Sequence, residues 1–273
     1  MMRIICFLLV AIVSLKGENK DPIQTYLKFL NENREVLGDA GSYKEGKIEV
    51  VLDVKRITEI QELQKARSLK SGMTEQESEK GSRVGIIAED LYWIFLRDAV
   101  IFPTGAEGTY NRLIWKSSLD KGPSGVAILP LLEDKRVALI VAFRHATRSW
   151  ELEMPRGVRA ESEEVQSALK RELEEETGFL SKENIYLGDM APDPGMASTV
   201  TPVYLAKVDK EGYANQDYSE AIYGVRLFTL KEIKKAFLDG YLEIEMKGKK
   251  QKVYVRDSYL TYALYLAEVK GLI

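Results

Sequence analysis

Between Val165 and Phe179 a single helical stripe changes character partway along, which few packing arrangements tolerate. With Glu172 at zero on a helical wheel and about a hundred degrees per residue, Val165, Ala168 and Leu169 fall within about sixty degrees of it. Glu175 and Glu176 share that arc, while Lys170 and Glu174 point the opposite way. The stripe therefore starts apolar, as a core-facing surface does, and ends acidic. Carboxylates at i, i+3 and i+4 repel one another, and these lie at the negative end of the helix dipole. Gly178 suits the left-handed cap that ends the helix just beyond them. Partly buried, such groups either take up protons or hold a cation, and an all-oxygen donor set favours a hard divalent ion, Mg²⁺ or Mn²⁺. Arg171 can brace the cluster from the side.

The rest of the composition narrows the alternatives. One histidine, His145, excludes multi-histidine metal sites, and the single cysteine, Cys6, leaves no intrachain disulfide, CxxC zinc site or cysteine nucleophile. A net charge of −3 over 273 residues supplies no global positive field, so no nucleic-acid partner is expected. The opening residues, MMRIICFLLVAIVSLKG, place Arg3 before an apolar run from Ile4 to Leu15. That run is short for a transmembrane helix and suits a signal-peptide core, with a poor cleavage site near Ser14 or Gly17. Residues 1–17 are read as a candidate signal peptide, the alternative being a buried N-terminal strand or helix. A cleaved leader implies a secreted or periplasmic protein without stable membrane insertion; otherwise the protein is cytoplasmic.

Residues 18–83 read as a mainly helical N-terminal extension and linker. Asp21-Pro22 starts a helix whose apolar positions run from Ile23 to Leu37, with Gly38 able to end it. KIEVVLDV is strand-like, a second helix covers Ile57 to Leu69, and Ser71 to Arg83 is polar enough for a linker. From residue 84 to 273 short β-type runs take over. LYWIFLRDAVIF and TYNRLIWK flank a turn, VAILPLL and RVALIVAF form a second hairpin, and WELEM alternates Trp150, Leu152 and Met154 against Glu151 and Glu153. NIYLGDM, VTPVYLAKV and Tyr223 to Phe228 are further strands, and helices are expected over Lys231 to Asp239 and Tyr259 to Val269. Strands interspersed with helices imply a sheet covered on both faces.

Gly157, then Glu163, then Arg171-Glu172-Leu173, Glu175-Glu176, Gly178 and Phe179 fall at every fixed position of the Nudix box, and the segment resembles that family. The resemblance implies the Nudix fold, an α/β/α sandwich with a mixed central sheet, and hydrolysis of a nucleoside diphosphate linked to another moiety. By position, Glu172, Glu175 and Glu176 are implied as metal-binding glutamates, with the carbonyl of Arg156 as a backbone ligand. Gly157, Glu163, Arg171 and Gly178 are implied to support the box. Divalent ions would then neutralise the diphosphate and activate a water for in-line attack on phosphorus.

Outside the box, FRHATRSWELEMPRG and APDPGMAS resemble the ADP-ribose and nucleotide-sugar branch. That implies substrate contacts from Arg144, Glu153 and Pro194. Arg144 could equally form a surface ion pair, and Glu153 could be an exposed strand residue. Glu220, with Asp217 as its neighbouring substitute, matches a loop carboxylate that helps activate water, or is a solvated loop acid. A homodimer is the family's expectation. Ala142, where relatives often carry a polar residue, and the basic run Lys247-Gly248-Lys249-Lys250 depart from the pattern and leave the sugar open. Two other readings stand: the same chemistry on another NDP-sugar or a dinucleotide, and a non-catalytic module that binds a nucleotide.

Overall fold

The computed structural model describes residues 21–119, 122–160, 162–211 and 221–273. The candidate leader, Asp217 and Glu220 lie outside the described residues.

Asp21 caps α1 (Pro22–Glu32) by accepting from the Ile23 amide, with Pro22 in the first turn. The single helix expected to reach Leu37 is broken at Asn33, whose side-chain amide donates to the Phe29 carbonyl at 2.8 Å. That local bond competes with the helical ladder. The chain resumes as α2 (Arg34–Leu37) and ends at Gly38, φ 84°. KIEVVLDV yields only the two-residue β1 (Glu49–Val50) before Asp53 caps α3 (Val54–Lys70). The expected linker is instead largely helical, as α4 (Glu75–Ser82). Thr74 and Glu77 satisfy each other's backbone amides in a capping box, and Lys65 reaches across to Glu75 and Glu79. A helix polar on most sides persists on such end and side-chain pairs.

The strands β2 (Gly85–Glu89), β3 (Trp93–Ile101) and β4 (Glu107–Trp115) are antiparallel neighbours, with β1 and β2 pairing successive parts of β3. Their inner face packs on the preceding helices: Tyr26, Ile57 and Ile60 share one core with Val84, Ile94, Leu96, Ala99 and Ile114. Packing thus groups residues 84–115 with the N-terminal helices. Asp98, 1% exposed, lies inside this unit. It accepts from the Tyr26 hydroxyl at 2.5 Å and from Arg112 through Nε at 2.5 Å and Nη2 at 3.0 Å. Burial, and then the Asp98 carboxylate, push the Tyr26 phenol far above its usual range, so it stays a donor.

The second sheet carries the acidic helix. It comprises β5 (Gly125–Leu132), β6 (Val137–Arg144), β7 (Ser149–Glu153), β8 (Arg156–Val158), β9 (Phe179–Met190), β10 (Thr201–Glu211), β11 (Ile222–Phe228), β12 (Tyr241–Met246) and β13 (Lys249–Tyr254). Its main path runs β12-β13-β7-β6-β5-β10-β9, with β11 on β6 and β8 on β5. The sheet is mixed, since β10 runs parallel to β5 and β13 parallel to β7. Alternation along β5 and β6 splits the core into two layers. Ala127, Leu129, Leu139 and Val141 face α6 (Leu230–Asp239) and α7 (Ser258–Val269). Val126, Ile128 and Ala138 face Ala168, Leu169 and Leu173 of α5 (Val165–Thr177). This is the α/β/α sandwich with a mixed sheet that the sequence implies.

The β12–β13 hairpin, like β2 and β8, has no counterpart among the strands expected from the sequence. YLEIEM alternates, and Lys247 (φ 52°) and Gly248 (φ 73°) both take the left-handed conformation of a two-residue hairpin turn. The basic run that suggests a solvated insertion is that turn and the strand leaving it. Among the described residues, no helix is long and apolar enough to cross a membrane.

Candidate active site

Helix α5 presents its stripe much as the wheel requires. Ala168 and Leu169 are fully buried, Glu172 and Glu176 are buried, Glu175 is half-buried, and Lys170 and Glu174 are exposed. Gly178 closes the helix at φ 75°, its amide donating to the Glu174 carbonyl at 2.8 Å. Leu173 and Phe179 sit in the α5-side core and fix the helix end against the sheet.

The charges are organised by one guanidinium. Arg171 donates through Nη1 to Glu172 at 2.6 Å and to Glu175 at 3.0 Å, and through Nε and Nη2 to both oxygens of Glu163 at 3.0 Å. Nη2 also reaches the Val158 carbonyl at 3.0 Å, which ties the helix to the loop before it. The bond from Arg171, together with the Ala160 amide, holds the Glu163 carboxyl below its usual range, and Arg171 itself is pushed up, chiefly by Glu163. Glu176 accepts the Arg156 backbone amide at 2.9 Å. Among the described residues, no group of three or more acidic or imidazole ligands is already gathered as a cation cage. Arg171 bridges Glu172 and Glu175, while Glu176 is turned to the β8 backbone.

Gly157 has a steric reason to be glycine. A Cβ built there would lie 1.9 Å from Cδ of Glu172 and 2.0 Å from its Oε2, so the carboxylate occupies the space a side chain would need. Gly157→Ala is therefore expected to expel Glu172 from its seat and to cost on the order of 1–3 kcal/mol, as overpacking does. Calorimetry of the purified variant reads this directly, and an unchanged melting midpoint would show that the seat has slack.

Arg156 reaches the cluster through its amide, while its side chain turns away. It donates to Asp257 at 2.8 Å, approaches Glu153 at 3.1 Å and stacks over Tyr259, 5.1 Å from the ring centre. Asp257 also accepts from the Met154 amide at 3.2 Å and caps α7 through the Tyr259 amide at 3.1 Å. Burial is the main influence on Asp257 and pushes it up, with Arg156 opposing. Residues 154–156, the entry to the box, are thus anchored from the last helix. Asp257 caps the helix that the sequence predicts, but its bond to Arg156 spans 101 positions and leaves no local trace.

Glu153 is buried, 5% exposed, unlike an exposed strand acid. One of its oxygens serves two guanidiniums, those of Arg144 and Arg156. Arg144 bonds it from Nε at 2.8 Å and also through Nη2, with its side chain 41% exposed, so its outer edge still faces solvent. His145 sits 2.8 Å from Arg148, whose guanidinium lies over Phe143. Glu151, on the same face, is bonded by Ser149 at 2.6 Å and by Arg256 at 2.6 Å. Burial acts to raise Glu151, but these bonds outweigh it and hold the carboxyl below its usual range. Pro194 is exposed in the loop between β9 and β10, apart from the carboxylates of α5 in the chain but joined to their end of the sheet by register: Val203 pairs with Ala127, and Ala127 with Arg156.

Residues 121–245 match the family model of the NUDIX domain. The matched segment contains the whole box, Gly157 to Phe179, and strands β5 to β11 of the second sheet. Over 92 residues it is 30% identical to the ADP-ribose pyrophosphatase of Bacillus subtilis (strain 168), covering 34% of this chain and 50% of that protein. Over 134 residues it is 27% identical to the ADP-sugar pyrophosphatase of Mus musculus, covering 48% of this chain and 62% of that one. The chain thus spans between half and two thirds of the length of these curated relatives. A solved structure described as "Crystal structure of ADP compounds hydrolase" shares the fold at a TM-score of 0.54 and 21% identity, over 70% of this chain and 93% of that one.

Proposed function

We propose that the protein is a divalent-cation-dependent hydrolase that splits the diphosphate linkage of a nucleoside diphosphate derivative, ADP-ribose or a similar nucleotide sugar. The observation that carries this reading is the carboxylate cluster at one end of α5. Glu172 fills the space over Gly157, Glu175 shares a guanidinium with it, and Glu176 lies on the neighbouring backbone of Arg156. Such all-oxygen donors fit a hard cation, and Glu172, Glu175, Glu176 and the Arg156 carbonyl are the groups that would hold it. When bound, Mg²⁺ or Mn²⁺ supplies positive charge against the diphosphate and acidifies water.

The chain's own residues do the rest. Arg171 ties Glu172 and Glu175 together through one guanidinium nitrogen. Arg144, braced by Glu153, offers its outer guanidinium edge to a phosphate oxygen, a bidentate task suited to arginine. Glu220 is the residue we assign to accept a proton from the attacking water. Hydrolysis adds the elements of water across one P–O–P bridge and yields two phosphorylated fragments. The relatives named as ADP-ribose and ADP-sugar pyrophosphatases support this substrate class.

Incubation of the full chain with ADP-ribose and Mg²⁺, followed by chromatography, should show AMP and ribose phosphate in equal amounts, and neither with chelator present. A panel of other NDP-sugars and dinucleotides runs beside it. Turnover confined to one of those would move the substrate, and nucleotide binding without turnover of any of them would leave a binding module.

A further inference from the structure

Strand β4, outside the matched domain, is bonded to the loop that bears Pro194. The Leu113 amide donates to the Met196 carbonyl at 2.8 Å, and the Ser198 amide donates back to the Leu113 carbonyl at 3.1 Å. Leu113 and Ala197 form a parallel bridge outside the named strands. The Tyr110 hydroxyl adds a third bond, to the Gly195 carbonyl at 2.8 Å. On the other side the loop is rooted at Thr201, whose hydroxyl meets that of Tyr259 at 3.1 Å, and the Tyr259 ring stacks with Arg156. The loop is thus strung between the N-terminal sheet and the anchor of the box.

We infer that Tyr110 and the Leu113 backbone on β4 position the 191–200 loop for substrate, which makes the N-terminal unit part of the binding machinery. The inference rests on the hydrolase reading above. Its physical basis is that Pro194, Gly195 and Met196 are exposed and take no place in the sandwich core, so these bonds set where the loop stands. An exposed loop without such bonds is free to open at little cost. Tyr110 touches the loop and none of the box carboxylates, so it is a positioning residue and should act on binding more than on the chemical step.

Two variants test this. Tyr110→Phe keeps the ring and removes one hydrogen bond, and Ser198→Pro removes the amide that bonds to Leu113. In each, KM for the substrate turned over by the wild type should rise roughly three- to tenfold, as expected for a bond of ordinary strength, with kcat within about twofold. Hydrogen exchange at the Leu113 amide should quicken in both, while the melting midpoint of Tyr110→Phe stays unchanged. Wild-type turnover with unaltered KM in both variants would overturn this inference alone. A wild type that turns over nothing in the panel would overturn the hydrolase reading and this inference with it.

Discussion

Glu175→Gln should lower kcat/KM at least roughly a hundredfold, the upper end of what disturbing a metal's surroundings costs, and leave the fold intact. Glu175 is the informative choice among the three glutamates. It is half-buried and accepts from Arg171 at 3.0 Å, a guanidinium that keeps Glu163 and Glu172 when Glu175 is neutral. A partly exposed pair of this kind contributes little to stability, about 0–1 kcal/mol. Glutamine keeps the shape and one carbonyl oxygen, while the charge and one acceptor oxygen are lost. Glu176 would be a poorer test, because it is 2% exposed and receives the Arg156 amide, so its neutralisation also perturbs the entry to the box. Kinetics across a Mg²⁺ titration, with melting curves on the same samples, decide the matter. Undiminished turnover at saturating Mg²⁺ would remove Glu175 from the machinery.

What the sequence disclosed, and what it hid, divides by the range of the interactions involved. The stripe on α5, its Gly178 cap, the capped start at Asp21-Pro22 and the alternation of β7 are legible because each depends on neighbours within a few residues. The hairpin of β3 and β4 is legible for the same reason. α4 could have been found from Thr74 and Glu77, a capping box that the polar composition obscured. Asn33 splits the first helix through a side-chain bond that no apolar spacing reveals. The pairings that build the site's surroundings are of another kind. Glu153 reads from the sequence as a substrate contact or an exposed strand acid, and its burial beside Arg144 and Arg156, which share one of its oxygens, is not legible there. Arg256 reaches Glu151 across 105 positions, and Tyr110 reaches Gly195 across 85. Such contacts depend on which strands lie side by side, and one sequence does not carry that information locally.

The N-terminal unit offers the second large effect. Arg112→Leu should destabilise the protein by about 3–5 kcal/mol, the usual loss when one partner of a buried ion pair is removed. Asp98 would then remain enclosed, accepting from the Tyr26 hydroxyl, in a core that includes Ile57, Ile60, Leu96 and Ile114. For a chain of this size each kcal/mol moves the melting midpoint by about 2–4 °C, so a fall on the order of 10 °C is expected. The deficit should narrow toward acid pH, because a carboxylate buried without its cation takes up a proton in the folded state. Folded protein then binds more protons than unfolded protein, and stability rises as pH falls. Tyr26→Phe, which removes one bond to a charged acceptor, should cost less, about 1.5–3 kcal/mol. Arg112→Leu combined with Asp98→Leu should recover much of the loss, since apolar side chains of similar size replace a buried pair at little cost. A melting midpoint for Arg112→Leu within about 2 °C of wild type would mean less than about 1 kcal/mol is at stake, and would show that water or a rearranged side chain already satisfies Asp98.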